Sequence, residues 1–367
     1  MKKTLYSTTV LAAAGLLTLG ASDAFAQAAA PAAPEKLKLT LGGYMNQYIG
    51  YVDQDGAGQA AETKHFDQKS DSEVYFTGSV KLDNGITASV VVQLEADTQT
   101  GNDTFDESYL RLDTDLGQFR LGSSDAAGLA LQVEAPYVGI NSTNGDQALW
   151  IVNPAGNVAG IGGTTIGGGD DNRVYYISPA IAGFRVGASY AASTSENTGT
   201  QPLVTETDVT DISVRWEGAV GDFKIGVGGG YWWTEGSSST NSGSARNFQF
   251  GSNITFADFT FGGGYGEKNA KQGGASGGDV TAWNVGLVYK PGPWSAGLSY
   301  YRGDAEGSVA VADNDEARRW VLGATYSIGP GVTAMTNVLY HRYNDESNVK
   351  SNENKGIAVI GGIQLAF

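Results

Sequence analysis

Arginine residues recur on the polar side of segments whose alternate positions are apolar. Arg111, Arg120 and Arg185 each stand between two apolar residues, and similar alternation includes Arg173 and Arg215. Successive side chains of an extended strand point to opposite faces, so each guanidinium group shares a polar face with its strand's hydrophilic residues. Guanidinium groups on a hydrated wall bind and steer ions. The chemistry that these residues predict is therefore ion recognition and not bond making.

Residues suited to catalysis are scarce in this chain. There is no cysteine, which excludes disulfides, thiolate metal sites and a cysteine nucleophile. The two histidines, His65 and His341, have no serine nucleophile elbow beside them. A net charge of −16 excludes a protein that neutralises nucleic-acid phosphates. We therefore expect no enzyme, no nucleic-acid partner and no cofactor, with loop-bound Ca²⁺ as the one exception.

Period-two alternation runs through most of the chain. Residues 73–82 (EVYFTGSVKL) alternate between an apolar and a polar face, and residues 86–97 (ITASVVVQLEAD) do so again. Asp83-Asn84-Gly85 between them is a tight-turn signal, so the two segments predict a β-hairpin. Sixteen such strands are predicted, and they start near Leu37, Ser72, Ile86, Asp106, Gln118, Asn172, Gly183, Thr207, Asp222, Ala245, Asp258, Val280, Pro293, Ala317, Gly331 and Lys355.

The first 26 residues are predicted to be an export signal. Two lysines precede a short apolar segment, and Ala24-Phe25-Ala26 is a typical cleavage site, so we expect cleavage after Ala26. Residues 27–36 are expected to form a short leader, and residues 37–367 one β domain. No run of 18 apolar residues follows the signal, which excludes a helical membrane protein.

The connections between predicted strands alternate between short turns and long loops rich in Gly, Ser, Asn and Asp. Short turns at one rim and long loops at the other are typical of an outer-membrane barrel. Aromatic residues stand near both ends of several apolar faces, as expected for belts at two membrane interfaces. The sequence thus predicts an all-β fold, a 16-stranded antiparallel transmembrane β-barrel. A soluble β-sandwich is the alternative.

Four stretches carry a resemblance to a known family: 73–97 (EVYFTGSVKLDNGITASVVVQLEAD), 107–125 (ESYLRLDTDLGQFRLGSSD), 172–190 (NRVYYISPAIAGFRVGASY) and 360–367 (IGGIQLAF). With them the chain resembles the Gram-negative trimeric general porins. The resemblance implies a homotrimer and a third loop, about residues 123–171, folded into the barrel lumen. The final strand, ending on Phe367, resembles the signal that barrel-assembly machinery reads.

The resemblance also implies a channel constriction in which basic wall residues oppose acidic loop residues. The basic residues are expected to be Arg111, Arg120, Arg173 and Arg185. The acidic residues of the loop are expected to be Asp125, Glu134, Asp146, Asp170 and Asp171. Strand alternation predicts further lumen-facing side chains at Glu107, Tyr109, Asp113, Tyr175 and Arg215.

Sixteen strands enclose more space than side chains can fill, so an aqueous channel is expected. We therefore expect an outer-membrane porin for passive diffusion of ions and small hydrophilic solutes, weakly cation-selective because of the acidic net charge. A substrate-specific channel is the first alternative, and a non-transport barrel (enzyme or adhesin) the second. Outer-membrane lipid and lipopolysaccharide are expected partners. Loop carboxylates that could bind Ca²⁺ are Asp53, Asp55, Asp103, Asp170, Asp171, Asp313 and Asp315.

Overall fold

The structure is a computed structural model. It describes residues 36–55, 64–96, 105–139, 150–154, 169–193, 207–236, 244–271, 279–307 and 313–367. The predicted signal and most of the predicted leader lie outside these ranges, as do Asp103 and Asp146.

Sixteen strands account for most of these residues. Their bounds are β1 Lys38–Gln54, β2 Phe66–Lys81, β3 Thr87–Glu95, β4 Phe105–Thr114, β5 Gly117–Ser124, β6 Asp171–Ile177, β7 Phe184–Ala191, β8 Thr207–Val220, β9 Phe223–Gly236, β10 Ser244–Phe256, β11 Phe259–Lys271, β12 Val280–Tyr289, β13 Trp294–Ala305, β14 Asp315–Gly329, β15 Val332–Asn344 and β16 Asn354–Ala366.

Each strand pairs antiparallel with the next, and β16 pairs with β1 to close the barrel. At this seam Met45 is the register partner of Leu365, and Tyr51 that of Val359. The prediction of a closed, 16-stranded antiparallel barrel is confirmed. A five-residue helix, α1 (Ala127–Leu131), and a 3₁₀ turn at Lys350–Asn352 are the helical elements in the described part of the chain. Among the residues described, no helix has the length and apolar character needed to span a membrane.

The alternation in the sequence places apolar residues on the outside of the barrel. In β5, Phe119 and Leu121 are exposed, whereas Arg120 between them is half-buried. In β16, Ile357 and Val359 are exposed, whereas Ala358 is fully buried. A surface this apolar is unfavourable in water and favourable in lipid. All strand N–H and C=O groups can pair within a closed barrel, which is the condition for crossing a membrane with strands.

Short turns connect the strands at one rim. Ala182 and Ala257 adopt positive φ values of 51° and 49°, a region that costs a side chain with a Cβ. Gly292 at the turn between β12 and β13 has φ 62°, which glycine adopts without that cost. Hairpin turns need such left-handed residues to match the twist of their strands.

Part of the inner wall is apolar and buried. Trp150 and Ile151, from the segment between β5 and β6, pack with inward residues of β1 and β12 to β16. Leu339 and Ile360 in this cluster have no exposed surface. The cluster covers one side of the inner wall.

Predicted strand starts agree with the observed ones within two residues, except at β2. Ser72 was the expected start, but the strand begins at Phe66. Residues 66–71 (FDQKSD) carry polar groups on both faces, so the amphipathic alternation is absent there although the backbone continues to pair with β1. The loop between β1 and β2 is therefore shorter than a strand start at Ser72 implies.

Candidate functional site

Arg111 and Arg120 are neighbours on the inner wall. They are direct register partners across β4 and β5. The Arg120 guanidinium lies over two rings, 4.8 Å from the centroid of Tyr109 and 4.5 Å from that of Tyr175. Both tyrosines are buried, so the rings hold Arg120 in place through cation–π contacts. Arg111 Nε pairs with an Asp113 carboxylate oxygen at 2.8 Å.

Arg185 and Arg215 form a second basic pair, on β7 and β8. They are also direct register partners. Arg215 Nη2 contacts Glu217 at 2.7 Å, and Nη1 donates to the Gln132 carbonyl at 3.3 Å. Arg185 is exposed to solvent on the inner face. The positions predicted from strand alternation thus bring Arg111, Arg120, Arg185 and Arg215 to two basic patches.

Arg173 faces inward as expected, but it is buried and does not extend a solvent-exposed wall. Its Nη2 contacts Asp171 at 3.0 Å, and its side chain has no exposed surface. Nη2 also donates to the Gly169 carbonyl at 2.5 Å, and Nη1 to Ser189 at 3.1 Å. Arg173 therefore fixes the end of the third loop to β6 and β7.

Three predicted acidic residues meet at the base of the third loop. Glu107, Asp125 and Asp170 offer carboxylate oxygens that lie within 4.8 Å of one another. Burial, together with the charges of Glu107 and Asp106, raises the pKa of Asp125 to about 8. Burial, with Asp125 and Asp106 nearby, raises the pKa of Asp170 to about 9. Desolvation and like charge both disfavour the ionised form, so these two loop carboxyls are largely neutral at pH 7.

The remaining acidic predictions have different positions. Asp171 is buried in its ion pair with Arg173. Glu134 is half-buried in the segment that follows α1. Asp113 is half-buried beside Arg111. Asp146 lies outside the described residues, and the predicted acidic residues that are described do not form one exposed row.

Residues 127–138 of the third loop, which we call the strap, are hydrogen-bonded to inward side chains of the wall. Gly128 N–H donates to Asp211 at 2.6 Å, and Ala135 N–H donates to Asn284 at 3.0 Å. Gln249 donates to the Val133 carbonyl at 2.7 Å, and Asn337 to the Val138 carbonyl at 3.1 Å. These contacts pair main-chain groups that would otherwise lack partners. The strap thus crosses the inward face of β7 to β15.

Inward glycines make room for the strap, a role that sequence reasoning missed. A Cβ added at Gly251 would collide with the Val133 carbonyl, and one at Gly323 with the Val138 carbonyl. Gly286 stands in the same relation to the Pro136 carbonyl. The polar faces of these strands are visibly rich in glycine, and that enrichment was the available signal.

A second anchor joins the loop to β1 and β16. A Cβ at Gly50 would collide with the Trp150 ring. Val152 N–H donates to Gln54 at 3.1 Å, and Asn354 donates to the Val152 carbonyl at 2.8 Å. Residues 150–154 therefore contact the wall on the side of the barrel seam.

Two carboxylate groups have the spacing of a metal-ligand set. One is Glu107, Asp125 and Asp170, and the other is Glu73, Glu95 and Asp106. Oxygen ligands of this kind suit Ca²⁺. Of the loop residues predicted for Ca²⁺ from the sequence, Asp170 belongs to these groups, and Ca²⁺ binding stays a prediction.

The sequence profile of the Gram-negative porins matches residues 7–346. The chain belongs to the Gram-negative porin family. No curated protein matches the chain. Membership of the porin family, with the closed barrel, supports an outer-membrane channel and points away from an enzyme.

Solved structures share the fold at low sequence identity. OmpT of Vibrio cholerae, an outer membrane protein in its trimer form, has a TM-score of 0.63 at 13% identity, covering 91% of this chain and 100% of that chain. An anion-selective porin from Comamonas acidovorans has a TM-score of 0.63 at 18% identity, covering 90% and 100%. A porin refined at 1.8 Å resolution has a TM-score of 0.59 at 16% identity, covering 90% and 100%.

Proposed function

We propose that this porin is a water-filled channel through which ions and small hydrophilic solutes diffuse passively across the outer membrane. The observation that carries the proposal is a closed 16-stranded barrel with solvent-accessible arginines on its inner face. A barrel of this width leaves an aqueous lumen unless a plug fills it. Exposed Arg185 and half-buried Arg111 and Arg120 require water or ions beside them, because a dry lumen would not solvate their charges.

We infer that the strap and the Trp150 anchor narrow this lumen along the arc of wall that runs from β7 through β16 to β1. The supporting contacts all join the third loop to inward groups: Asp211, Gln249, Asn284 and Asn337 for the strap, and Gln54 for the anchor. The arginine pair Arg111 and Arg120 lies on β4 and β5, outside this arc. The free passage then runs between the loop and the basic wall.

The proposed selectivity is weak and favours cations. The net charge of −16 attracts cations to the channel mouths. The wall opposes this preference, because Arg120 and Arg185 present positive charge to the passage while Asp125 and Asp170 are largely neutral at pH 7. Because the two effects oppose each other, we expect a cation-to-anion permeability ratio slightly above one.

Single-channel recording of the purified protein in a planar bilayer tests the proposal. Stepwise conductance that is linear in salt concentration, with a small reversal potential under a KCl gradient, is the expected result. Absence of conductance steps would overturn the channel proposal. Block by one solute class at low concentration would instead favour the substrate-specific channel, for which the ring-held Arg120 is the structural argument.

We also propose that the protein is a homotrimer and that it is exported with signal cleavage after Ala26. We propose further that barrel-assembly machinery recognises the strand that ends at Phe367. The trimer draws support from the Vibrio cholerae protein of the same fold, whose structure is of a trimer form. The apolar outer surface of β1 and β16, with Met45, Ile49, Ile357 and Val359 exposed, provides a surface for neighbouring subunits or lipid. Cross-linking in native membranes tests the oligomeric state.

A further inference from the structure

A row of basic residues crosses the outside of the barrel near the rim with the long loops. Arg302, Arg318, Arg342 and Lys355 lie on four adjacent strands, β13 to β16. Each is the direct register partner of the next. Neighbouring strands are about 4.8 Å apart, so the row extends over about 14 Å.

These four side chains point outward. In β14, Arg318 follows the parity of Trp320 and Leu322, which are exposed, while Ala317 and Arg319 are fully buried. In β15, Arg342 follows the parity of exposed Tyr340. The row therefore belongs to the outer surface and not to the channel lining.

An aromatic row lies directly below the basic one. Tyr300, Trp320 and Tyr340 are register partners of one another, two residues nearer the short-turn rim on each strand. The Tyr300 and Trp320 ring centroids are 4.5 Å apart. Aromatic rings on a membrane barrel mark the level of the lipid headgroups. The long loops lie on the extracellular side of such barrels, so the basic row stands at the headgroups of the outer leaflet.

Carboxylates hold the guanidinium groups in position without cancelling their charge. Glu316 contacts both Arg302 at 3.0 Å and Arg318 at 2.5 Å, and it also accepts a hydrogen bond from Asn344 at 2.7 Å. Glu316 is buried beneath the cluster, whereas the Arg302 and Arg318 side chains are 36% and 44% exposed.

The carboxylates that contact the row are fewer than its cations. Asp304 binds Arg302, and Asp55 pairs with Lys355 at 3.2 Å. With Glu316, three carboxylates thus contact a row of four cations. Arg342 donates through Nε to the neutral amide of Asn344 at 2.6 Å. The guanidinium groups of Arg302, Arg318 and Arg342 thus keep exposed surface on the outside of the barrel.

We propose that this row binds the phosphate groups of lipopolysaccharide in the outer leaflet. Preorganised arginines bind phosphate through charge-assisted, often bidentate hydrogen bonds. The aromatic row below provides a surface for the acyl chains of the same lipid. The proposal rests on the outer-membrane placement in the proposed function, and it adds a specific site and a headgroup chemistry. A contact between copies of the chain is the other occupant that the test distinguishes.

The test compares wild type with the double variant Arg318→Gln/Arg342→Gln. Native mass spectrometry would measure binding of diphosphorylated lipid A, monophosphorylated lipid A and inorganic phosphate to the detergent-solubilised porin. The double variant is expected to bind the diphosphorylated lipid about ten- to thirty-fold more weakly, since each basic residue near a membrane surface contributes a factor of roughly five. The monophosphorylated lipid is expected to show a smaller difference.

Arg246→Gln is the matched control. Arg246 is exposed at the same end of β10, and its register partners are Trp233 and Asn269. The control is expected to bind lipid as wild type does. Equal lipid binding by the double variant, or an equal loss in the control, would overturn the proposal. If millimolar inorganic phosphate displaced diphosphorylated lipid A from the wild-type porin, the row would be a site for free anions, and the lipid proposal would be overturned.

Two further measurements, of oligomeric state and of conductance, separate the lipid-site proposal from the channel proposal. Loss of the oligomer with unchanged lipid binding would assign the row to a contact between subunits and overturn the lipid site. Single-channel conductance of the double variant is expected to equal that of wild type, because the row faces outward. If conductance is normal but the double variant binds lipid as wild type does, only the lipid-site proposal is overturned. If neither protein conducts, the channel proposal is overturned.

Discussion

At the scale of single side chains, the lumen-facing charges differ in their access to water. Arg185 is exposed and Arg120 is held between two rings, so both keep a positive charge facing the passage. Asp125 and Asp170 are half-buried beside the buried Glu107, where desolvation and like charge favour the protonated form of both. Under the proposed function we therefore expect the basic groups to act on passing ions directly, and the acidic groups to act on the loop beside them.

Arg185→Gln is expected to increase the preference for cations about threefold. A unit charge roughly 6 Å from a passing ion contributes about 0.7 kcal/mol in water, and removing it removes that repulsion of cations. The reversal potential under a KCl gradient measures the change. Arg246→Gln, on the outer surface, is the control and should leave the potential unchanged. A shift toward anions would contradict the assignment of Arg185 to the passage.

The base of the third loop is expected to loosen as pH rises. The pKa values of Asp125 and Asp170 stand near 8 and 9 in the fold, against an ordinary value of 3.8. The folded state therefore binds more protons than the unfolded chain between pH 4 and 9. Their contribution is fully present below pH 4 and is lost as pH rises through 8 and 9.

Hydrogen exchange of residues 125–139 measures this loosening. We expect exchange at pH 9, corrected for intrinsic base catalysis, at least tenfold faster than at pH 6, because one pKa unit corresponds to a factor of ten. Asp125→Asn/Asp170→Asn should remove most of the pH dependence. Exchange that is independent of pH in the wild type would refute the role of these carboxyls.

At the scale of elements, the strap and the wall have complementary features. Strand side chains supply hydrogen-bond partners at Gln249, Asn284 and Asn337, and glycines between them supply space. A loop lying against a sheet needs both, because its main chain must be paired and cannot overlap a Cβ. The position of the strap is thus encoded in the strands as well as in its own residues.

Gly251→Val is expected to displace the strap and raise single-channel conductance, with more current fluctuation. The valine would occupy the position of the Val133 carbonyl. Gly226→Val is the matched control, since a Cβ at Gly226 meets nothing within 4 Å on the same inner face. Bilayer recordings of both variants provide the measurement. Equal behaviour of the two variants would show that the strap does not depend on the glycine.

Ala257→Asn at the turn between β10 and β11 is expected to stabilise the barrel by about 0.5–1 kcal/mol. Ala257 has φ 49°, and asparagine tolerates the left-handed region better than alanine. Ala219→Asn, at an exposed site in β8, serves as the control. Thermal unfolding followed by gel mobility in detergent reports the difference. A lower midpoint for Ala257→Asn than for the control would contradict the strain at this turn.

Strand number and order could be predicted from the sequence because each amphipathic segment shows its own period. The start of β2 was misplaced because residues 66–71 are polar on both faces. Inward orientation of Arg111 and Arg120 followed from parity alone. Burial of Arg173 did not, since it depends on loop carbonyls and Ser189 that parity cannot place. The space at Gly251 likewise depends on a contact 118 positions away in sequence, with Val133.

At the scale of the whole molecule, the barrel is a single continuous sheet with three differently composed surfaces. Its outside is apolar, its inside is polar with one apolar side, and a basic row stands at one rim. This division follows from parity on every strand together with closure between β1 and β16. A shift of one residue in any register would exchange the lipid-facing and lumen-facing sets.

An engineered disulfide tests that closure. Met45→Cys/Leu365→Cys joins direct register partners of β1 and β16, and the chain contains no other cysteine. Oxidation is expected to form the bond in nearly all folded molecules, because cross-strand partners lie within disulfide range. Met45→Cys/Ile357→Cys is the control, since Ile357 pairs with Asp53. Electrophoretic mobility without reductant measures the yield. A similar yield in the control would contradict the register.

The seam between β1 and β16 also has a consequence for the timing of biogenesis. The N-terminal strand of the barrel acquires its second neighbour only when the C-terminal strand arrives, so a partly translocated polypeptide has two open edges whatever else has formed. During that interval proteases and other unfolded polypeptides compete for the edges. Survival of the newly exported chain therefore depends on how quickly its last strand is delivered.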